Sequence, residues 1–165
     1  KEIKPEVRQS SEFEKKEIET AKKKSEDKKL FKEDFILPAN GRISGVFGSQ
    51  RILNKKPRRP HYGIDIAAPK GTPIISPANG IVTLVAKDMF FTGNTVIIDH
   101  GLGLISIFAH LDKINLSEGT NVKIGTLIGS IGQTGRATGP HLHWGVYLGK
   151  KPVDPNSLIG KKVNN

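Results

Sequence analysis

The sequence contains no cysteine, one tryptophan, two tyrosines and one methionine in 165 residues. Without cysteine there can be no disulfide scaffold, no thiolate zinc finger and no cysteine nucleophile. Any bound metal would have to be held by His, Asp or Glu. The compartment is not fixed by this absence, because a chain of this length can bury a sufficient core without disulfides. No run approaches the ~18 apolar residues needed to span a membrane as a helix. Acidic residues are in deficit: 26 Lys and Arg face 16 Asp and Glu, giving a formal charge of +10. Such basicity suits a nucleic-acid binder, but the interleaved aromatics and binding motifs of that class are missing. The chain opens on Lys1 rather than Met and carries no signal-peptide pattern. The expectation is therefore a processed piece of a longer protein, with any targeting or anchoring segment upstream.

The absences are unevenly spread. Residues 1–34 hold no glycine and no histidine, with 11 Lys and Arg against 10 Asp and Glu. Residues 35–165 hold all 18 glycines, all five histidines and a net charge of +9. The expected organisation is a charged helical linker or upstream remnant over 1–34, a globular domain over 35–160, and a tail over 161–165. In the lead, Ser11-x-x-Glu14 reads as a capping box, followed by good helix formers from Ser10 to Lys29. Its apolar residues, Phe13, Ile18 and Ala21, are sparse, so this helix is expected to bury little.

The second part reads as β. Gly80–Ala86, Asn94–Asp99, Gly103–Ala109, Gly125–Ile131 and His141–Leu148 are short, apolar and rich in β-branched residues. Each is bounded by Gly, Pro, Asn or Asp, at spacings too close for helical crossovers. The fold class expected is all-β: a compact antiparallel sheet, sandwich-like or a partly open barrel, with a short N-terminal helical segment.

The histidines lie where chemistry could be done. His61-Tyr-Gly-Ile-Asp65 sets an imidazole and a carboxylate four residues apart, and His141-Leu-His143 sets two imidazoles two apart. On a strand, residues i and i+2 share a face about 6.6 Å apart, so His141 and His143 can enter one site. In a straight strand i and i+4 lie about 13 Å apart, too far to share one ion. If His61 and Asp65 share a metal the segment must bend, and Gly63 supplies the freedom. Two His and one acid leave a fourth position open for water, the pattern of catalytic zinc. The bland alternatives are an exposed strand face for His141 and His143, a turn carboxylate for Asp65, and a backbone-bonded core residue for His110.

The words around these residues resemble a known family. His61-Tyr-Gly-Ile-Asp65-Ile-Ala-Ala-Pro-Lys-Gly-Thr-Pro-Ile74 is similar to the first metal motif of LytM/lysostaphin-type zinc metallopeptidases. Ala78-Asn-Gly-Ile-Val82, Phe108-Ala-His-Leu111 and Thr134-Gly-Arg-Ala-Thr-Gly-Pro-His-Leu-His143 resemble its later signatures, in order. Gly41-Arg-Ile-Ser-Gly-Val-Phe-Gly48 resembles its opening segment, so the likeness runs from about Phe35 to Ile159.

The resemblance implies a zinc endopeptidase cutting stem or cross-link peptides of bacterial peptidoglycan, in the periplasm or cell envelope. It implies His61, Asp65 and His143 as zinc ligands. It also implies His110 and His141 as the catalytic histidines beside a zinc-activated water, the roles of the two not being divided. His100 matches no ligand and reads as a turn residue with a structural hydrogen bond. Phe108 stands where many relatives carry Tyr, and the tyrosines here are Tyr62 and Tyr147. The basic run Lys55-Lys56-Pro57-Arg58-Arg59 reads either as a solvated loop or as the lining of a groove for an anionic polymer. The alternative function is a non-catalytic member that binds peptidoglycan or activates another hydrolase. The full set of five site residues favours catalysis, and a monomer is the default in the absence of sustained heptads.

Overall fold

A computed structural model describes residues 10–49, 52–53, 56–57 and 62–160. His61, the side chains of the basic run at 55–59 and the tail at 161–165 lie outside the described residues. Helix α1 spans Ser11–Lys22, ending one turn and more before the expected Lys29. Its cap sits one residue earlier than the capping-box spacing implies, with Ser10 Oγ accepting the Phe13 N–H at 3.2 Å. Glu14 is thereby free for a tertiary role. Its two carboxylate oxygens accept Phe91 N–H at 2.6 Å and Thr92 N–H at 3.0 Å, and the side chain is buried.

The expectation that this helix buries little is corrected by what lies beneath it. Ala21 and Ile18 press on Leu84, Ile97, Ile105 and Ile107, and the Lys22 ammonium lies 3.6 Å from the Tyr147 ring centre. A narrow apolar stripe suffices when the surface below supplies most of the apolar area. The chain after the helix is fastened as well. Asp99, almost fully buried, accepts Ser25 Oγ–H at 2.7 Å and Glu26 N–H at 2.8 Å.

The strands are β1 (Arg42–Gly45), β2 (Ile52–Leu53), β3 (Lys56–Pro57), β4 (Ile64–Ala67), β5 (Pro73–Ile75) and β6 (Gly80–Met89). They continue as β7 (Gly93–Asp99), β8 (Leu104–Ile114), β9 (Asn121–Val122), β10 (Leu127–Ile131), β11 (His141–Leu148) and β12 (Lys151–Val153). Apart from the β2–β3 pair, they form one ten-stranded antiparallel sheet with the order β1-β4-β11-β8-β7-β6-β9; β10 pairs with β5 and β8, and β12 with β11. The all-β class is borne out. β7 has no polar alternation because both its faces are covered. Val96 and Ile98 enter the larger core with Trp144, Phe108 and Phe35, while Ile97 enters the smaller one under α1.

One feature of β8 positions the site. Its residues 104–109 pair with β11, whereas Leu111 onward pairs with β10. On its other edge, Asn94 opposes Leu111 and Val96 opposes Phe108, so two β8 residues face one on β7. His110 is the residue at both irregularities and takes the left-handed conformation at φ +69°. Such a bulge re-aims a side chain out of the regular pleat, at a backbone cost of about 1–3 kcal/mol.

Candidate functional site

Three strands bring four of the predicted residues together. His143 on β11 is the register partner of Asp65 on β4 and of Ala109 on β8, the residue before His110. His141 lies two residues from His143 on the same face, paired with Ala67. The result is a cleft of about 600 Å³ whose lining includes Asp65, His110, His141 and His143.

Within it the polar atoms form two pairs. His143 Nδ1 lies 2.9 Å from Asp65 Oδ1, and the rings of His110 and His141 are 4.7 Å apart at their centres. Each ring of the second pair is fixed by a backbone carbonyl. His110 Nδ1 lies 2.8 Å from the Thr134 oxygen, and His141 Nδ1 lies 2.9 Å from the Gly139 oxygen. A carbonyl cannot donate, so in both rings Nδ1 carries the hydrogen and the neutral ring keeps its lone pair on Nε2. Burial lowers the His110 pKa to about 4, outweighing the hydrogen bond to Thr134, and the neighbouring His141 and His143 lower it further. The carbonyls of Thr134 and Gly139 belong to a motif whose visible signal is its histidines. Their holding function is not legible in the sequence, because a backbone acceptor leaves no mark on residue type.

Asp65 and His143, two of the three residues that the resemblance implies as ligands, offer the oxygen and nitrogen donors that zinc takes. Two ligand atoms about 2.0–2.2 Å from a tetrahedral zinc stand roughly 3.3 Å from each other. The Asp65 oxygen and the His143 nitrogen are within a few tenths of an ångström of that spacing. Among the described residues no group of three His, Asp or Glu converges on one point. The third donor implied by the resemblance is His61, outside the described residues. Gly63, expected to let that segment bend, has a steric role of its own. A Cβ there would stand 2.7 Å from the Trp144 oxygen and 2.8 Å from His143 Cε1, so only glycine lets the segment pass this close.

The other residues that stand out in the sequence lie elsewhere. Phe108 is fully buried in the larger core, and Tyr147 packs under Lys22 on the helix side of the sheet. No described tyrosine lines the cleft. His100 is buried, with Nδ1 at 2.9 Å from the Asn79 oxygen and Nε2 at 2.8 Å from Ser106 Oγ. Ser106 Oγ also accepts the Trp144 indole N–H at 3.1 Å. The structural role expected for His100 is borne out.

Residues 59–155, more than half of the chain, match peptidase family M23. DD-carboxypeptidase/endopeptidase Mpg of Neisseria meningitidis is 42% identical over 117 residues, covering 71% of this chain and 27% of that protein. Peptidoglycan DD-endopeptidase ShyA of Vibrio cholerae is 39% identical over 114 residues, covering 68% of this chain and 26% of that protein. The chain thus spans about a quarter of the length of these relatives. The solved structure of a zinc-containing peptidase from Vibrio cholerae superposes with a TM-score of 0.68 at 37% identity, over 74% of this chain and 39% of that one.

Proposed function

The chain belongs to peptidase family M23, and from that premise we propose that it is a zinc-dependent endopeptidase acting on the stem or cross-link peptides of bacterial peptidoglycan. One observation carries the reading: a donor pair, Asp65 with His143, and a pair of oriented imidazoles, His110 with His141, open into the same cleft. The likeness to relatives such as peptidoglycan DD-endopeptidase ShyA supports the substrate class. In this reading Asp65 and His143, with His61, hold the zinc, and His110 and His141 are the catalytic residues.

Zinc supplies, when bound, a Lewis acid that polarises the scissile carbonyl and lowers the pKa of water towards ~7. The chain's own residues handle the protons. His110 and His141 present Nε2 lone pairs to the cleft, because Nδ1 of each is occupied by a backbone carbonyl. One ring accepts the proton of the attacking water and, as imidazolium, returns it to the leaving amine. The other, when protonated, donates to the oxyanion. We assign residues 35–160 as the peptidase domain and the described lead as an element packed on it. A peptidoglycan substrate places the protein in the cell envelope, outside the cytoplasm. We take it to act as a monomer.

The test is digestion of purified sacculi by the full chain, with mass analysis of the released fragments and zinc measured in the same preparation. One zinc per chain and fragments cut at a peptide bond are expected. Binding to sacculi without cleavage at full zinc occupancy would select the non-catalytic alternative. Absence of any stoichiometric divalent metal would remove the metallopeptidase reading.

A further inference from the structure

The cleft carries two cations that the proposed chemistry does not use. Arg42 and Arg136 line it together with the reactive groups. Arg42 lies on β1, whose register row runs Arg42, Ala67, His141 across β1, β4 and β11. Register partners put their side chains on the same face of a sheet, so Arg42 and His141 share a face. Their backbones are two strand spacings apart, about 10 Å, within reach of an extended arginine and a substrate lying between them.

Arg136 comes from a different segment. Its backbone N–H donates to the Phe91 oxygen at 2.9 Å, and it follows by two residues the Thr134 carbonyl that holds His110. Its guanidinium lies over the Phe91 ring, 5.6 Å from the ring centre, while the residue still lines the cleft, so the two arginines enter the lining from different segments, β1 and the loop before β11. Among the described residues neither arginine forms an ion pair. Among those same residues Asp65 is the sole carboxylate lining the cleft, and it is engaged with His143. Two unneutralised guanidiniums beside one engaged carboxylate leave the walls of the cleft positive.

We propose that Arg42 and Arg136 form carboxylate subsites beside the reactive centre, selecting peptides with free carboxylates near the scissile amide over their amidated forms. This rests on the endopeptidase reading and narrows its substrate class. A planar guanidinium pairs a carboxylate through two parallel hydrogen bonds, and a neutral carboxamide can satisfy neither the charge nor both bonds. The preference then resides in binding, because the carboxylates are present in ground and transition state alike.

The probes are a cross-linked muropeptide dimer with free carboxylates and the same dimer with those carboxylates amidated. Hydrolysis is followed with the full chain, and Kd is measured for both dimers on the His110→Ala chain, where cleavage does not interfere. Expected is a preference of about tenfold for the free acid, in kcat/KM through KM and in Kd. Arg42→Gln or Arg136→Gln should reduce it, and the double variant should bring the Kd ratio close to one. Equal Kd for both dimers on the His110→Ala chain would overturn the proposal, as would an unchanged ratio when both arginines are also replaced. If the full chain cleaved neither dimer, the endopeptidase reading would fail. The Kd ratio would still decide for or against the arginine subsites.

Discussion

At the residue scale, the division of labour among the histidines is the part most open to direct test. His143 touches Asp65, whereas His110 is held by the Thr134 carbonyl. His110→Ala is expected to keep its zinc and lose turnover on peptidoglycan by roughly 10²–10⁴-fold, the usual worth of a positioned acid-base group. His143→Ala is expected to lose zinc and turnover together. Elemental analysis of the two purified variants decides it, and equal zinc loss in both would dissolve the ligand and catalyst roles. Asp65, His141 and His143 stand out in the sequence by residue type and spacing, whereas His110 is singled out only by the resemblance of its motif to the LytM/lysostaphin-type family. Arg42 also lies within a motif, the segment Gly41–Gly48, but nothing in residue type alone distinguishes a cleft arginine from a solvated one.

His100 gives a second residue-scale prediction, independent of any metal. Burial lowers its pKa from 6.5 to about 4, outweighing the Asn79 carbonyl and the Asp99 carboxylate, which both favour the charged form. A depressed histidine pKa means the fold holds the neutral ring while the unfolded chain binds a proton more readily. The stabilisation is therefore full above about pH 6.5 and fades as pH falls towards 4. Its size is about 3 kcal/mol. Urea unfolding of the parent and of His100→Leu between pH 7 and pH 4 should show the stability gap between them narrowing by about this amount. Parallel pH profiles would show that the fold does not lower the His100 pKa.

At the scale of elements, the main strands and the start of the helix can be read from the sequence, but not the helix's end or its docking. β6, β7, β8, β10 and β11 each begin within two residues of an expected segment, since β-branched runs between turn residues leave little choice. β1, β4 and β5 are three or four residues long and show too few alternations to announce themselves. The bulge at His110 has no local signature, because it arises where β8 exchanges β11 for β10. For α1 the decisive residue is Glu14, whose carboxylate serves the Phe91–Thr92 turn rather than its own helix end.

That turn reaches the site. The Thr92 carbonyl accepts the His110 N–H at 2.7 Å, and the Phe91 carbonyl accepts the Arg136 N–H. Glu14→Ala would leave two turn amides without their charged acceptor, and a loss of about 1–3 kcal/mol in unfolding free energy is expected. Glu14→Gln keeps one acceptor and should lose less. Chemical denaturation of the three proteins would show this ordering; an Ala variant as stable as the parent would mean that water replaces the carboxylate at no cost.

At the scale of the whole molecule, the charge is distributed with a purpose the total conceals. Of the formal +10, residues 1–34 carry +1 and residues 35–165 carry +9. Residues 1–34 are electrically almost neutral and their described part is docked by apolar and hydrogen-bonded contacts, so the net charge of the molecule belongs to the domain that bears the cleft. An anionic polymer would be attracted over distances comparable to the Debye length, about 10 Å at 0.1 M salt and 3 Å at 1 M. A short peptide bound inside the cleft would feel mainly Arg42 and Arg136 at close range. Raising salt from ~0.05 to ~0.5 M should therefore weaken association with intact sacculi much more than it raises KM for a soluble muropeptide, while kcat on the peptide stays nearly constant. Co-sedimentation and peptide kinetics at matched salt measure the two effects. Equal salt sensitivity in both would place the electrostatics entirely within the cleft and leave the surrounding surface without a role in finding the wall.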